Sequence, residues 1–194
     1  MKATGIVRRI DDLGRVVIPK EIRRTLRIRE ADPLEIFTDR EGQIILKKYS
    51  PIGELGNFAR EYAEALADAS GHSVCITDRD QVIAAAGGMK KNTIGHPVTG
   101  QLEDVMHDRE HIFSAGPGQD PIKITNEDAG QDLPQVISPI ICEGDVIGTV
   151  ILRCKDPKGR MGETEQVLAR CAAGLWDGRW SSRTAAKRCR SPGL

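Results

Sequence analysis

Thr4-Gly5-Ile6-Val7-Arg8-Arg9-Ile10-Asp11-Asp12-Leu13-Gly14-Arg15-Val16-Val17-Ile18-Pro19 is the stretch on which the fold turns. Ile6 and Ile10 fall on one side with Arg8, while Val7 and Arg9 face the other way, which is the period of a strand. Asp11 to Gly14 make a turn. Arg15 to Ile18 form a second short β-branched run that stops at Pro19, a residue unable to donate to a ladder but suited to the first position of a helix. Lys20 to Arg27 then predict a short helix, with Ile22 and Leu26 four apart on its buried face and Arg23, Arg24 and Arg27 on the outer side. After the Asp32-Pro33 turn, Leu34 to Thr38 and Gln43 to Lys48 predict a hairpin around Asp39, Arg40, Glu41 and Gly42.

Four short strands and one helical segment in fifty residues bury too little apolar surface to be secure alone, so this segment is expected to dimerise. Its charge points to a partner of opposite sign. Residues 1–50 carry 12 Lys and Arg against 8 Asp and Glu, residues 51–160 carry 10 against 17, and residues 161–194 carry 6 against 3, although the whole chain is neutral. A basic end on an acidic body is the balance of a chain that binds polyanions at one end. Between residues 13 and 29 Glu21 is the lone carboxylate among the arginines, and clustered arginine is what phosphate contact requires. A solvated surface that keeps a dimer soluble is the plain alternative.

The opening sixteen residues, followed by Glu21-Ile22-Arg23-Arg24-Thr25-Leu26, closely resemble the AbrB-type swapped-hairpin transcription factors. That resemblance implies an intertwined dimer in which two hairpins exchange to complete a barrel. It also implies that double-stranded DNA is approached by Arg8, Arg15, Arg23 and Arg24, each at a motif position of the family. Within the family the chain as a whole is similar to regulators of spore formation, which implies control of sporulation genes, as activator or repressor, in the forespore nucleoid. Ala31 stands where the family usually has glycine, and alanine resists a positive φ by about 1 kcal/mol.

Tyr49, Ser50 and Pro51 interrupt the strand pattern. Ile52, Leu55, Phe58, Ala59, Tyr62, Ala63 and Leu66 follow at helical spacing up to Gly71, so residues 51–70 are expected to be a linking helix whose apolar stripe packs on its own domain or on a partner chain. Residues 71–174 carry strands at Ser73 to Thr77 and Gln81 to Ala86, a helix from Thr99 to Asp108, a hairpin of Gln135 to Cys142 with Val146 to Arg153 around Glu143, Gly144 and Asp145, and a helix from Glu163 to Ala173. An antiparallel sheet between an entering and a closing helix is an α+β arrangement, similar to a GAF domain. A GAF-like domain implies oligomerisation, here of dimers into a tetramer, or recognition of a small-molecule effector. If the sheet leaves a cavity, Gly87 to Pro97 and Gly116 to Asp132 are its natural lid, and a filled scaffold is the equal alternative. Residues 175–194, with Trp176, Trp180 and the Lys187-Arg188-Cys189-Arg190 run, depart from the family and are expected to be a disordered basic tail.

Several chemistries drop out. No stretch approaches the 18 to 20 apolar residues of a membrane span, and the N-terminus lacks a signal peptide's apolar segment, which predicts a cytoplasmic protein. Cys75, Cys142, Cys154, Cys171 and Cys189 form neither a CxxC nor a disulfide-like framework and read as reduced, mostly buried thiols. His107 and His111 are spaced for one helix face but lack completing ligands, and His72 and His96 sit in loops. Gly116-Pro117-Gly118 lacks the lysine and hydroxyl of a phosphate cradle, and Ser73 and Ser138 lack a base. Neither an enzyme nor a cofactor is expected. The remaining competitors are an antitoxin that regulates its own operon and a small-molecule sensor without DNA binding.

Overall fold

The structure, a computed structural model, describes residues 5–30, 32–89, 91–115, 121–128 and 133–188, without the side chains of 91 and 177–188. The chain divides into two units between Tyr49 and Ser50. Expectations for Ala31, for residues 116–120 and 129–132 of the second lid segment, and for Cys189 and Arg190 lie outside the described residues.

The first unit holds helix α1 (Lys20–Thr25) and one antiparallel hairpin, β1 (Leu34–Thr38) with β2 (Ile44–Lys48), in the register Leu34 opposite Lys48. Gly42 takes φ +79° in the connecting loop, as the hairpin reading requires. The two opening strands do not form a ladder in this chain. A strand exists through its partner, and among the described residues the backbone bonds between these runs are those of the turn, Asp11 N–H to the Arg15 carbonyl and Gly14 N–H to the Asp11 carbonyl, both 3.0 Å. Nor does α1 reach Arg27. Arg27 adopts φ +51°, its N–H donates to Arg24 O at 3.3 Å, and the Ile28 N–H donates to Arg23 O at 2.7 Å, the two bonds that close a helix through a left-handed residue. Ile22 is only half-buried and Leu26 is exposed, so the apolar face expected to be covered lies open.

The second unit is built around a five-stranded, wholly antiparallel sheet. Its strands are β3 (Ser73–Asp78), β4 (Val82–Ala86), β5 (Ile112–Ser114), β6 (Gln135–Cys142) and β7 (Asp145–Arg153), in the order β4-β3-β7-β6-β5. Strand periodicity divides the sheet's side chains between two cores. Val74, Ile76, Val150 and Leu152 face a cluster with Ile52 of α2 (Pro51–Glu54), Ala59, Ala63 and Leu66 of α3 (Gly56–Ser70), and Ala169 and Ala172 of α5 (Glu163–Arg188). Cys75, Ile137 and Ile151 face the opposite cluster with Leu102, Val105 and Met106 of α4 (Gly100–Asp108). The stripe of the linking helix therefore packs on its own domain, and that helix is part of the second unit rather than a spacer.

Local chemistry explains most boundaries. Thr99 caps α4 by accepting the Leu102 N–H at 3.3 Å, and Gly71 ends α3 with φ +73°. Glu143 and Gly144 both have positive φ and join β6 to β7 as a two-residue turn whose twist suits a hairpin. Gly148 lies opposite Asp78 in β3, where a Cβ would run into the Thr77 carbonyl.

The closing helix overturns the expectation of a disordered tail from 175. Helix α5 runs through to Arg188, and Trp176 is 1% exposed. Its ring meets Phe58 edge-on at 5.2 Å and Tyr62 at 6.0 Å, and the Tyr62 hydroxyl donates to Ala172 O at 3.2 Å. Ala169, Ala172, Ala173 and Trp176 follow the i, i+3, i+4, i+7 pattern of one buried face, so Trp176 continues the stripe it was expected to end. Cys75, Cys142 and Cys154 are buried thiols outside any disulfide, whereas Cys171 is exposed on α5. Burial pushes the Cys75 thiol up to about 12, and a protonated thiol is a poor nucleophile.

Candidate nucleic-acid interface

Arg15 stands on a loop that its own neighbour builds. One oxygen of Asp11, Oδ1, accepts the Leu13 N–H at 3.1 Å and the Arg15 N–H at 2.7 Å, while Oδ2 accepts Arg15 Nε–H at 2.9 Å. Gly14 supplies the positive φ, +76°, that lets the loop close. The Arg15 N–H, then its guanidinium, hold the Asp11 carboxyl below the usual aspartate range. Arg15 is thus partly compensated, contrary to the uncompensated cluster expected, but the pairing runs through Nε and the side chain stays 69% exposed.

Arg23 and Arg24 come from the last turn of α1, where cations favour the negative end of the helix. Both are exposed, as is Arg8. Among the described residues no carboxylate pairs with these three. The helix is tied to the hairpin by a contact that sequence reasoning missed. Asp32 Oδ2 accepts the Arg29 N–H at 2.7 Å and lies 3.0 Å from the Lys48 ammonium, which also donates to Arg27 O at 2.8 Å. The Asp32 side chain is 2% exposed, and Asp32-Pro33 in sequence signals only a turn.

The apolar residues of this unit are as exposed as its arginines. Val7, Leu13, Val17, Ile36 and Ile44 are each at least two-thirds exposed, and among the unit's described residues Pro19 is the one that is buried. Single exposed apolar residues are ordinary, but this many in about fifty residues mark a face that another surface covers.

A second feature lies in the other unit. A cavity of about 420 Å³ is lined by Met89 and Asn92 of the first expected lid segment, by Ile124 and Glu127 of the second, and by Arg153 and Lys155 where β7 ends. Both segments therefore border a cavity. Arg153, at the end of an apolar strand, donates to Asp128 at 2.8 Å and to Gln135 Oε1 at 3.1 Å, a buried polar set that strand periodicity alone does not reveal.

Residues 54–177 match the family model described as stage V sporulation protein T C-terminal, transcription factor, and residues 7–54 match the model described as antidote-toxin recognition MazE, bacterial antitoxin. The chain is 53% identical over 175 residues, 90% of its length and 96% of the relative's, to stage V sporulation protein T of Bacillus subtilis (strain 168). It belongs to the stage V sporulation protein T family. This family member is also 69% identical over 51 residues to the transition state regulatory protein AbrB of the same organism, covering 26% of this chain and 52% of AbrB. Over 69% of the chain the fold matches the GAF domain of a phosphoenolpyruvate-protein phosphotransferase from Coxiella burnetii, with TM-score 0.54, 18% identity and 86% of that chain covered. In the stage V sporulation protein T family, then, an AbrB-like segment precedes a GAF fold. Among the described residues no helix is long and apolar enough to cross a membrane.

Proposed function

We propose that this chain regulates transcription of sporulation genes by gripping duplex DNA as a dimer. Arg8, Arg15, Arg23 and Arg24 of both copies form one cationic surface. The observation that carries this reading is the coincidence, within one small unit, of an uncovered apolar face and exposed guanidinium groups. Pairing two copies covers the first and doubles the second, and guanidinium groups offer phosphates forked donors that stay charged. The relative's name and the AbrB likeness support the same reading. The second unit joins dimers into a tetramer and senses a small effector, no step of the function needs a cofactor or catalysis, and the protein acts at the nucleoid, in the cytoplasm of the forespore.

Operator retention in a gel shift tests it. Arg15→Ala or Arg23→Ala is expected to lower affinity at least about tenfold, each loss worth the 1.4 kcal/mol or more typical of a charged contact, while the dimer persists. Operator binding equal to the parent by both variants would remove the site. The antitoxin-type match over residues 7–54 favours a second reading, in which the chain neutralises a toxin and represses its own operon. The folded second unit argues against it, because a toxin-wrapping segment needs to be extended when free.

A further inference from the structure

We propose that the cavity at the end of β7 receives a small zwitterion of the free amino-acid class, with its carboxylate on Arg153 and Lys155 and its ammonium toward Glu127. This deepens the sensing role proposed above and rests on it for its consequence at DNA.

Arg153 is the anchor. Its side chain is 9% exposed, Nη1 donates to Asp128 and Nη2 to Gln135 Oε1 at 3.1 Å and Ile122 O at 3.4 Å. Among the described residues its Nε–H is buried with no acceptor. A buried donor left unpaired is costly, so the wall at Arg153 keeps hydrogen-bonding capacity that the described residues do not use. Lys155 lies two residues further along and lines the same space, so one carboxylate can meet both cations.

The rest of the wall narrows the class. Glu127 and Asp128 set two carboxylates against the two cations, which makes the lining neutral and bipolar. A nucleotide or phosphate ester would bring its charge against those carboxylates, and a purely apolar ligand would leave both signs of the wall unmatched. A zwitterion matches both signs. Glu127 is 68% exposed and lies 3.3 Å from His96 Nδ1, so it can turn to an ammonium without being extracted from a buried pair. Met89, Ile124 and Leu133 offer apolar surface for a side chain. About 420 Å³ falls within the range of small-molecule sites.

Calorimetric titration of the full chain with each of the twenty L-amino acids, and with acetate, n-butylamine, ATP and inorganic phosphate, tests the class. Saturable binding is expected for amino acids with apolar side chains and not for the comparators. Lys155→Ala is expected to weaken it about tenfold or more. Because Arg153 also braces the fold, Met89→Trp, which fills the cavity from a half-buried position, provides a second variant and is expected to abolish binding. No amino acid binding at millimolar concentration, binding of acetate or phosphate as tight as that of any amino acid, or unchanged affinity in both variants would overturn the assignment. A parallel operator gel shift separates the two ideas. Amino acid binding without any change in operator affinity leaves the site standing and removes its sensing role. An amino acid effect on operator affinity that both variants retain does the reverse.

Discussion

The two units of this chain solve opposite problems with similar composition. In the first unit, Val7, Val17, Ile36 and Ile44 are exposed beside arginines. In the second, β-branched residues of the same kind, Val74, Ile76, Ile137 and Ile151, are 0% exposed between a sheet and its helices. The difference is what each segment can fold against. A five-stranded sheet with helices on both faces closes its own cores, whereas a hairpin and a six-residue helix offer too little to fold against among the described residues. On the dimeric reading proposed above, such a regulator closes its second unit by itself and makes its DNA surface conditional on pairing.

The strongest challenge to that contrast is Trp176→Ala. Loss of a fully buried indole is expected to cost about 3 to 5 kcal/mol in the second unit's denaturant transition and to leave the first unit's unchanged. Truncation after Gly174 removes the same ring and should do the same damage. Equal loss in both units would mean that they fold as one.

Next in size is Asp32→Ala, which removes the carboxylate that accepts the Arg29 N–H and faces the Lys48 ammonium, and is expected to destabilise the first unit by about 1 to 3 kcal/mol, read by thermal melting. Val17→Ala sharpens the contrast further. On a surface facing water it should change stability by less than about 0.5 kcal/mol, but under a second copy it should cost about 1 kcal/mol. The first unit's melting temperature should also rise with protein concentration.

The smallest effect is a pH dependence. The Asp11 carboxyl is depressed in the folded loop, so what it contributes is present at neutral pH and lost as pH falls through that lowered value. The same sign holds for Glu165 of the second unit, where first the Gly162 N–H it accepts at 2.6 Å, then nearby His72, favours the charged form. Carboxyl titration by NMR should place both below free aspartate and glutamate, and an unshifted Asp11 would mean that the Arg15 loop is open in solution.

Much of the second unit was legible because its signals are local. Thr99 announces the start of α4, Gly71 the end of α3, and Glu143-Gly144 the tightest hairpin, each through backbone chemistry within a few residues. The errors share a cause of the opposite kind. The runs before Asp11 and after Gly14 have strand periodicity, yet neither forms a ladder among the described residues. β5 is three residues long, too short for any period to register. Arg27 in a left-handed conformation and the Asp32 to Lys48 tie depend on contacts across the unit, not on spacing. Arg8, Arg15, Arg23 and Arg24 are proposed from residue type and motif, but the clasp of Asp11 on Arg15 is not readable that way, because a carboxylate four positions away reads equally well as part of a turn.

Sequestration of the thiols has a practical corollary. With Cys75, Cys142 and Cys154 shut inside and Cys171 open on α5, a chain in which Cys189 is replaced by serine should take a maleimide dye or nitroxide at one address per copy. Spectroscopic rulers between those labels would then report how the second units are spaced as the assembly loads onto a promoter.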